Sequence, residues 1–447
     1  MTDCASEPTS IDFAIIGGGA AGFFAAIACS EALQTGASNK PRILILEKTG
    51  HPLAKVLVSG GGRCNVTHAC FDPAQLVQSY PRGAQALRGA FTRFQPADTM
   101  DWFEKHGVAL KTEPDGRVFP ASDAAQSVVG CLHEAAAQAG VELWTHTGAK
   151  EIRKTDNLLA PFLLRLQPGR SSEGQPPHPA SLAVRYLLLA TGGEAGGFRL
   201  ASELGHPIQP PVPSLFTFSI PDQRLEGLAG LSVQNAALKL CAEGGSEPHL
   251  PGLEQSGATL ITHWGLSGPA VLRLSAWGAR WLQARGYRAR LMINWLGVTP
   301  TESMLVFLRQ YKENRSNARQ KVAAHNPYHN IPLRLWKRLT QAAGIEEQHN
   351  WGDLSKPALS RLAEELTRGS YQIQGKGPFK EEFVTCGGVQ LDKINFKSME
   401  SRLVPGLYFA GEVLDIDGLT GGFNFQNAWT TGWIAGTNIA QKLSNHL

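Results

Sequence analysis

The sequence has no run of about 18 apolar residues, the length that crosses a bilayer. It also has no basic-then-apolar leader, and Met1 to Ser10 is short and polar. These absences set the expectation of a soluble, cytoplasmic protein without a membrane span. No CxxC pair occurs. The seven cysteines (Cys4, Cys29, Cys64, Cys70, Cys131, Cys241 and Cys386) are odd in number and scattered. That excludes a disulfide framework or zinc site and fits reduced thiols. No Ser-His-Asp order and no cluster of metal-ligand residues stands out, so hydrolase and metal chemistries are disfavoured, and no repeat is evident. Acids are scarce in one place. Between Ala270 and Thr340, thirteen Lys or Arg face only Glu302 and Glu313, a local charge of +11 within a chain of net +4. The remainder is therefore −7, an asymmetry that speaks of partners rather than of fold.

What is present is glycine, 48 residues in a chain of 447 that is long enough for two or three domains. Ile11 to Ile16 is an apolar run of strand type, Gly17-Gly18-Gly19-Ala20-Ala21-Gly22 follows at once, Phe23 to Leu33 reads as a helix, and Arg42 to Leu46 as a second strand ending on Glu47. This is the order of a dinucleotide-binding βαβ unit. Gly17 allows the tight turn, Gly19 leaves room for a pyrophosphate, and Gly22 lets the helix lie on the strand. Ala20 and Ala21 open the helix, whose N–H groups and partial positive charge face the phosphates. Glu47 accepts hydrogen bonds from a ribose and repels a 2′-phosphate, which disfavours NADP there.

Beyond this unit, Ser59-Gly60-Gly61-Gly62-Arg63-Cys64-Asn65 reads as a glycine-rich ligand loop. Ser122 is expected to cap a helix to about Gln138. Ala149 to Leu166 and Ala183 to Leu189 suggest an antiparallel meander around a solvated loop, Gln167 to Ser181, leading into Ala190-Thr191-Gly192-Gly193. The prolines of Pro207 to Pro213 mark a boundary. Strands follow, then helices, with Thr299-Pro300-Thr301-Glu302 read as a capping box. Leu407 to Ala410 is a buried strand with Gly411 and Glu412 at its C-terminal end, and Gly421-Gly422-Phe423-Asn424 opens a small-residue helix. The expected division is 1–206 and 372–447 for an α/β dinucleotide-binding domain (parallel sheet plus β-meander), interrupted at 207–371 by an α+β insert.

Four stretches together resemble the HI0933-like (BaiN-like, aminoacetone-oxidase-like) flavoproteins of the glutathione-reductase-like superfamily. They are Gly17 to Gly22, Ser59 to Asn65, Thr262-His263-Trp264-Gly265-Leu266-Ser267-Gly268-Pro269, and Gly406 to Asn427. The resemblance implies FAD in a Rossmann-type domain split by an insert. It implies contacts from the residues just named around the two glycine turns, with Lys48, Lys55, Thr191, Gly192 and Gly193 beside them. It also implies that Glu412 holds the ribityl chain and that the helix opening at Gly422 faces the flavin N1–O2 edge. Family members have been linked to reduction of steroid enones, amine oxidation, and dihydrouridine formation in ribosomal RNA. Phe423-Asn424 stands where Tyr-Asn is frequent.

With no second GxGxxG unit in the insert, any NAD(P)H reductant binds transiently, or another donor serves. Cys64 and His263 are the candidate proton donors; each also has a plain structural reading. Trp264, Trp277, Trp281, Trp295, Tyr311, Tyr328 and Trp336 interleave with the basic stretch, and Arg273, Trp277 and Trp281 are spaced to share one helical face. Cations neutralise phosphates and aromatics stack on bases. One expectation is thus reduction of uridine in structured RNA, with Arg273, Arg280, Arg288, Lys337 and Arg338 as RNA contacts. Others are an FAD oxidoreductase of a small amine or enone, and a flavin-containing RNA-binding protein without turnover. The plain alternative is a core of tryptophans under a solvated basic face.

Overall fold

A computed structural model describes residues 8–33, 40–167, 178–242, 252–378 and 384–445. Cys4, the leader expectation at residues 1–7 and most of the Gln167–Ser181 loop lie outside them. Two compact units form: Met1–Pro211 with Thr385–Leu447, and Val212–Val384.

In the first unit, β1 (Thr9–Ile16) and β2 (Ile43–Leu46) pair in parallel. The parallel run continues to Glu142–Trp144 beyond β2, and through Ser181–Leu189 to Leu407–Phe409 on the other side of β1. Phe13 to Ile16 and Ile43 to Leu46 are buried, because a parallel sheet is covered on both faces and its strands are apolar without alternation. Gly148–Lys154 and Phe162–Gln167 add the antiparallel meander onto Ser181–Leu189. The helix α1 (Ala20–Ala32) is buried from Ala21 through Cys29. It packs against the C-terminal helix Phe423–Ser444 at unusually close range: a Cβ on Gly436 would stand 2.2 Å from the Ala25 carbonyl oxygen. Small residues at this crossing let the two helices share one layer.

The second unit is a closed antiparallel sheet with helices packed on it. Its strand order begins at Gly369–Ile373 and ends at Gly375–Lys376, consecutive pieces of one segment, so the sheet closes on itself. Ala289–Asn294, Ser232–Cys241, Glu254–Thr262, Gly265–Ser267 and Phe218–Ser219 lie between them. Because Gly369–Lys376 belongs to this sheet, the chain leaves the insert at 384/385 rather than at 371/372, and enters it at 211/212 rather than at 206/207.

Several local expectations are corrected. Ala124, not Ser122, is the N-cap of Ala125–Gln138; the Ser122 hydroxyl bonds that of Ser127 instead, at 2.7 Å. The helix Thr301–Glu313 begins on Pro300 without a side-chain cap, since the Thr299 hydroxyl donates backwards to the Leu296 carbonyl. The face of Arg273, Trp277 and Trp281 is not continuous, because the helix breaks at Gly278 into Pro269–Trp277 and Ala279–Gln283.

Among the described residues no helix is long and apolar enough to cross a membrane, and no His, Cys, Asp and Glu group could hold a metal. Of the described cysteines, Cys70 is half-buried, the other five are buried, and all six are unbridged.

Candidate functional site

The site in the first unit is built on the C-terminal ends of its parallel strands. Gly17 takes φ +116°, and a Cβ there would stand 2.3 Å from the Ala190 carbonyl oxygen; one on Gly22 would stand 2.1 Å from the Gly17 carbonyl. Both positions are closed to any side chain. Gly19 differs: a Cβ there meets nothing within 4 Å among the described residues. Gly19 caps α1 without a side-chain bond, and the first turn carries no acid. That leaves an open space facing the helix N-terminus and the Ala20, Ala21 and Gly22 amides, the shape a pyrophosphate requires.

Glu47, at the end of β2, is held by its neighbours. Its Oε2 accepts from the Gly18 amide at 2.9 Å, and its Oε1 from the Thr49 amide and hydroxyl, both at 2.8 Å. Lys48 pairs with Glu194 at 2.6 Å, with both side chains more than half exposed, so the pair adds little stability.

Glu412 follows the Leu407–Phe409 strand. Its Oε1 accepts from the Thr385 amide at 2.9 Å, and its Oε2 from the Lys55 ammonium at 2.8 Å. A Cβ on Gly192 would stand 3.7 Å, and one on Gly193 3.3 Å, from the Glu412 carboxylate. The Thr191 hydroxyl beside them is buried with no partner. Thus Lys55, Glu412 and the 192–193 turn converge, while the Thr191 side chain is turned against Gly197.

The glycine-rich stretch, expected as a ligand loop, leaves helical geometry at Ser59. It forms the end of α2 (Ala54–Gly62), where Gly60, Gly61 and Gly62 turn left-handed at φ 57°, 69° and 84°. Arg63 is fully engaged: its guanidinium bonds Glu113 at 2.8 Å and Asp123 at 3.3 Å and lies 4.0 Å over the Phe119 ring. Cys64 is itself left-handed at φ 59° and fully buried. Its amide donates to the Ser59 carbonyl, and burial pushes its thiol up to about 12, so the sulfur is protonated. With its amide in the orientation that satisfies both ends, Asn65 accepts from the Gly422 amide at 3.0 Å and donates to the Thr67 carbonyl at 2.9 Å.

That bond ties the loop to the last helix. Gly421 and Gly422 take φ +124° and +91°, and a Cβ on Gly422 would stand 2.5 Å from the Thr67 carbonyl. Asn424 clips the approach, accepting from the Gly418 amide and donating to its carbonyl. Phe423 stacks on His68 with centroids 4.7 Å apart, and its carbonyl accepts from the Tyr80 hydroxyl at 2.6 Å. The fully buried Asp417 pairs with Arg82 just before this turn. His68, Tyr80, Arg82, Thr385 and Asp417 were not anticipated. Of these His68 stands three residues after Asn65 and Asp417 lies within the Gly406–Asn427 stretch; Tyr80, Arg82 and Thr385 come from distant sequence.

His263 lies in the second unit, exposed on the turn between Glu254–Thr262 and Gly265–Ser267. Three of the seven interleaved aromatics are core, and Trp264, Trp277, Tyr311 and Tyr328 are half-buried. Trp295 and Trp336 are fully buried and Trp281 nearly so, while Trp277 lies against the backbone of Gly252. Trp281, Trp295 and Trp336 are not available to stack on a base, because the insert's core closes around them. Among the expected RNA contacts, Arg273 is part-buried and bonds the Ser256 carbonyl, Arg280 is part-buried, and Arg338 donates to the Glu226 carbonyl. Arg288 and Lys337 stand exposed.

Burial holds the His68, His133 and His206 rings below the usual imidazole range. The folded chain therefore refuses protons that the unfolded chain accepts below about pH 6.5. Stability from these sites is complete above that pH and is lost as pH falls through it. Urea midpoints are expected to drop between pH 7.5 and 5.5, and equal midpoints would refute this.

A Rossmann-type unit with two glycine-opened helices and two acids at strand ends defines the protein as an FAD-dependent oxidoreductase. The chain belongs to the HI0933-like family: the family's Rossmann domain matches residues 11–438. It is 29% identical to the ribosomal RNA dihydrouridine synthase of Escherichia coli, over 97% of this chain and 99% of that protein. It is 26% identical to the 3-dehydro-bile acid delta(4,6)-reductase of Clostridium scindens, over 96% and 98%. A 3-ketosteroid-delta4-(5alpha)-dehydrogenase structure from Rhodococcus jostii shares the fold at TM-score 0.50, with 13% identity and 98% of each chain covered. The open space at Gly19 fits the pyrophosphate of FAD.

Proposed function

We propose that this flavoenzyme reduces a C=C bond conjugated to a carbonyl, and that its substrate is uridine in structured RNA, converted to dihydrouridine. When bound, the flavin supplies a hydride at N5. The hydride goes to one carbon of the uracil C5=C6 bond and a proton to the other, with NAD(P)H as the transient source of electrons. The names of the two relatives describe the same class of step on very different molecules.

Charge favours RNA over a small enone. Arg309, Arg315, Arg319, Lys321 and Lys337 are exposed, with no acidic partner within 4 Å among the described residues. A spread of unopposed cations suits a polyphosphate chain better than a single small anion. Gly17, Gly19, Gly22, Glu47, Lys55, Glu412 and the Gly421–Gly422 turn are our proposed FAD contacts. For the proton, Cys64 is the candidate in the flavin unit, because it stands at the end of the glycine-rich stretch. His263 is the alternative on the insert.

The test is a comparison of ribosomal RNA from wild-type and deletion strains by nucleoside mass spectrometry. Loss of dihydrouridine on deletion, restored by the wild-type gene, is expected. Unchanged dihydrouridine would move the reading to a small enone or amine. RNA binding by the purified protein without any change in modification would indicate a non-catalytic flavin-containing RNA-binding protein.

A further inference from the structure

The insert's buried tryptophans leave one aromatic face open. Helix Thr301–Glu313 turns Met304 and Leu308 inward, yet leaves Phe307 38% exposed beside the exposed Val306. The Phe307 ring does not stand alone. It lies 5.3 Å from the Tyr328 ring and stacks on Tyr311 at 5.9 Å and 27°, and Tyr311 in turn packs on the buried Trp351. A core-backed ring is therefore presented at the surface in a fixed orientation. Arg309 follows it on the same helix, and Arg315, Arg319 and Lys321 occupy the segment that runs off the helix end. That segment is pinned back by the Asn317 amide, which donates to the Tyr311 carbonyl at 3.3 Å.

We propose that Phe307 is a stacking platform for an unpaired base, with Arg315, Arg319 and Lys321 engaging the flanking phosphates. The partner is single-stranded or looped RNA. Stacking on a rigid ring holds any base, and cations beside it track the backbone. Glu302 and Glu313 are the acids between residues 301 and 330, and the segment paired with Lys321 adds the exposed Glu346, Glu347 and Asp353, so the cations offered to a phosphate chain are those of the 315–321 segment. This proposal rests on the RNA reading above and adds which face receives the strand.

The test uses the FAD-loaded protein and a fluorescein-labelled 20-nucleotide polyuridylate, read by anisotropy across a salt series. Phe307→Ala is expected to weaken binding by about 5- to 100-fold at fixed salt, and Phe307→Trp to restore it. Arg315→Glu with Arg319→Glu is expected to lower the salt slope by about 1.4, the loss of two phosphate contacts on a single strand. Arg315 and Arg319 are surface positions and Phe307 is partly packed, so binding is compared only between proteins of equal melting temperature and flavin absorbance, with Phe307→Trp as the control for packing. If wild type binds RNA and all the variants bind equally well, the face is wrong while the RNA reading stands. If wild type binds no RNA and deletion leaves dihydrouridine unchanged, the RNA reading falls with it. If the variants lose intact ribosomes but keep deproteinised ribosomal RNA, the face docks on protein and the proposal fails.

Discussion

Gly19→Ser is expected to yield a stable protein that has lost its flavin, and Gly22→Val one that has lost both flavin and fold. The two glycines are three residues apart and do different work. Gly19 caps α1 at φ −93°, a backbone that any residue adopts, and a Cβ there meets nothing within 4 Å. Serine is also among the best N-caps, so apoprotein stability should stay within about 0.5 kcal/mol of wild type. The added hydroxymethyl group instead fills the space facing the first amides of the helix. FAD affinity should fall by at least about 100-fold, in keeping with a displaced charge-assisted phosphate contact. At Gly22 the first added atom meets the Gly17 carbonyl oxygen at 2.1 Å and the Ile15 side chain at 3.1 Å. Backbone presses on backbone there, so helix and strand must separate, at a cost of about 3 kcal/mol or more. Flavin absorbance after gel filtration and apoprotein melting separate the outcomes. A yellow Gly19→Ser protein with normal FAD affinity would refute the pyrophosphate assignment.

Removal of Arg82 should have the second large effect. Asp417 is fully buried, and the Arg82 side chain is only 13% exposed. Arg82→Met leaves a buried carboxylate without its cation, a loss of about 3–5 kcal/mol. Replacing both, Arg82→Met with Asp417→Leu, should recover much of that, because an apolar pair carries no desolvation penalty. The pair stands just before the turn that Asn424 and Tyr80 hold. The single variant should therefore also release FAD more readily than its stability loss alone explains. Urea unfolding and a double-mutant cycle measure the coupling. Additive losses from the two single variants would show that the pair does not act as a unit.

The ends of the first unit were more legible than its middle. β1, α1 and β2 could be read because strand, turn and helix are contiguous and each glycine has a local geometric duty. The Arg63 to Asn65 stretch could be located but not interpreted. Its glycines marked an irregular backbone, yet only folding shows Arg63 engaged by Glu113 and Asp123 over Phe119. The exit from the insert was misjudged because Gly369–Lys376 closes a sheet whose other strands begin about 150 residues earlier, a pairing with no local signature.

The basic stretch divides the same way. Its composition alone establishes an excess of cations, since charge is counted and not folded. Which aromatics face the solvent is a matter of packing. Seven conspicuous rings suggested a base-stacking surface, and the insert took Trp281, Trp295 and Trp336 into its core while leaving Phe307 outside. Sequence by itself determined the dinucleotide cradle, the family and the charge, because each rests on residue type at short range. Tertiary structure alone decided the buried Arg82–Asp417 clamp, the closure of the insert sheet and the identity of the exposed ring. Those depend on which distant segments exclude water from one another.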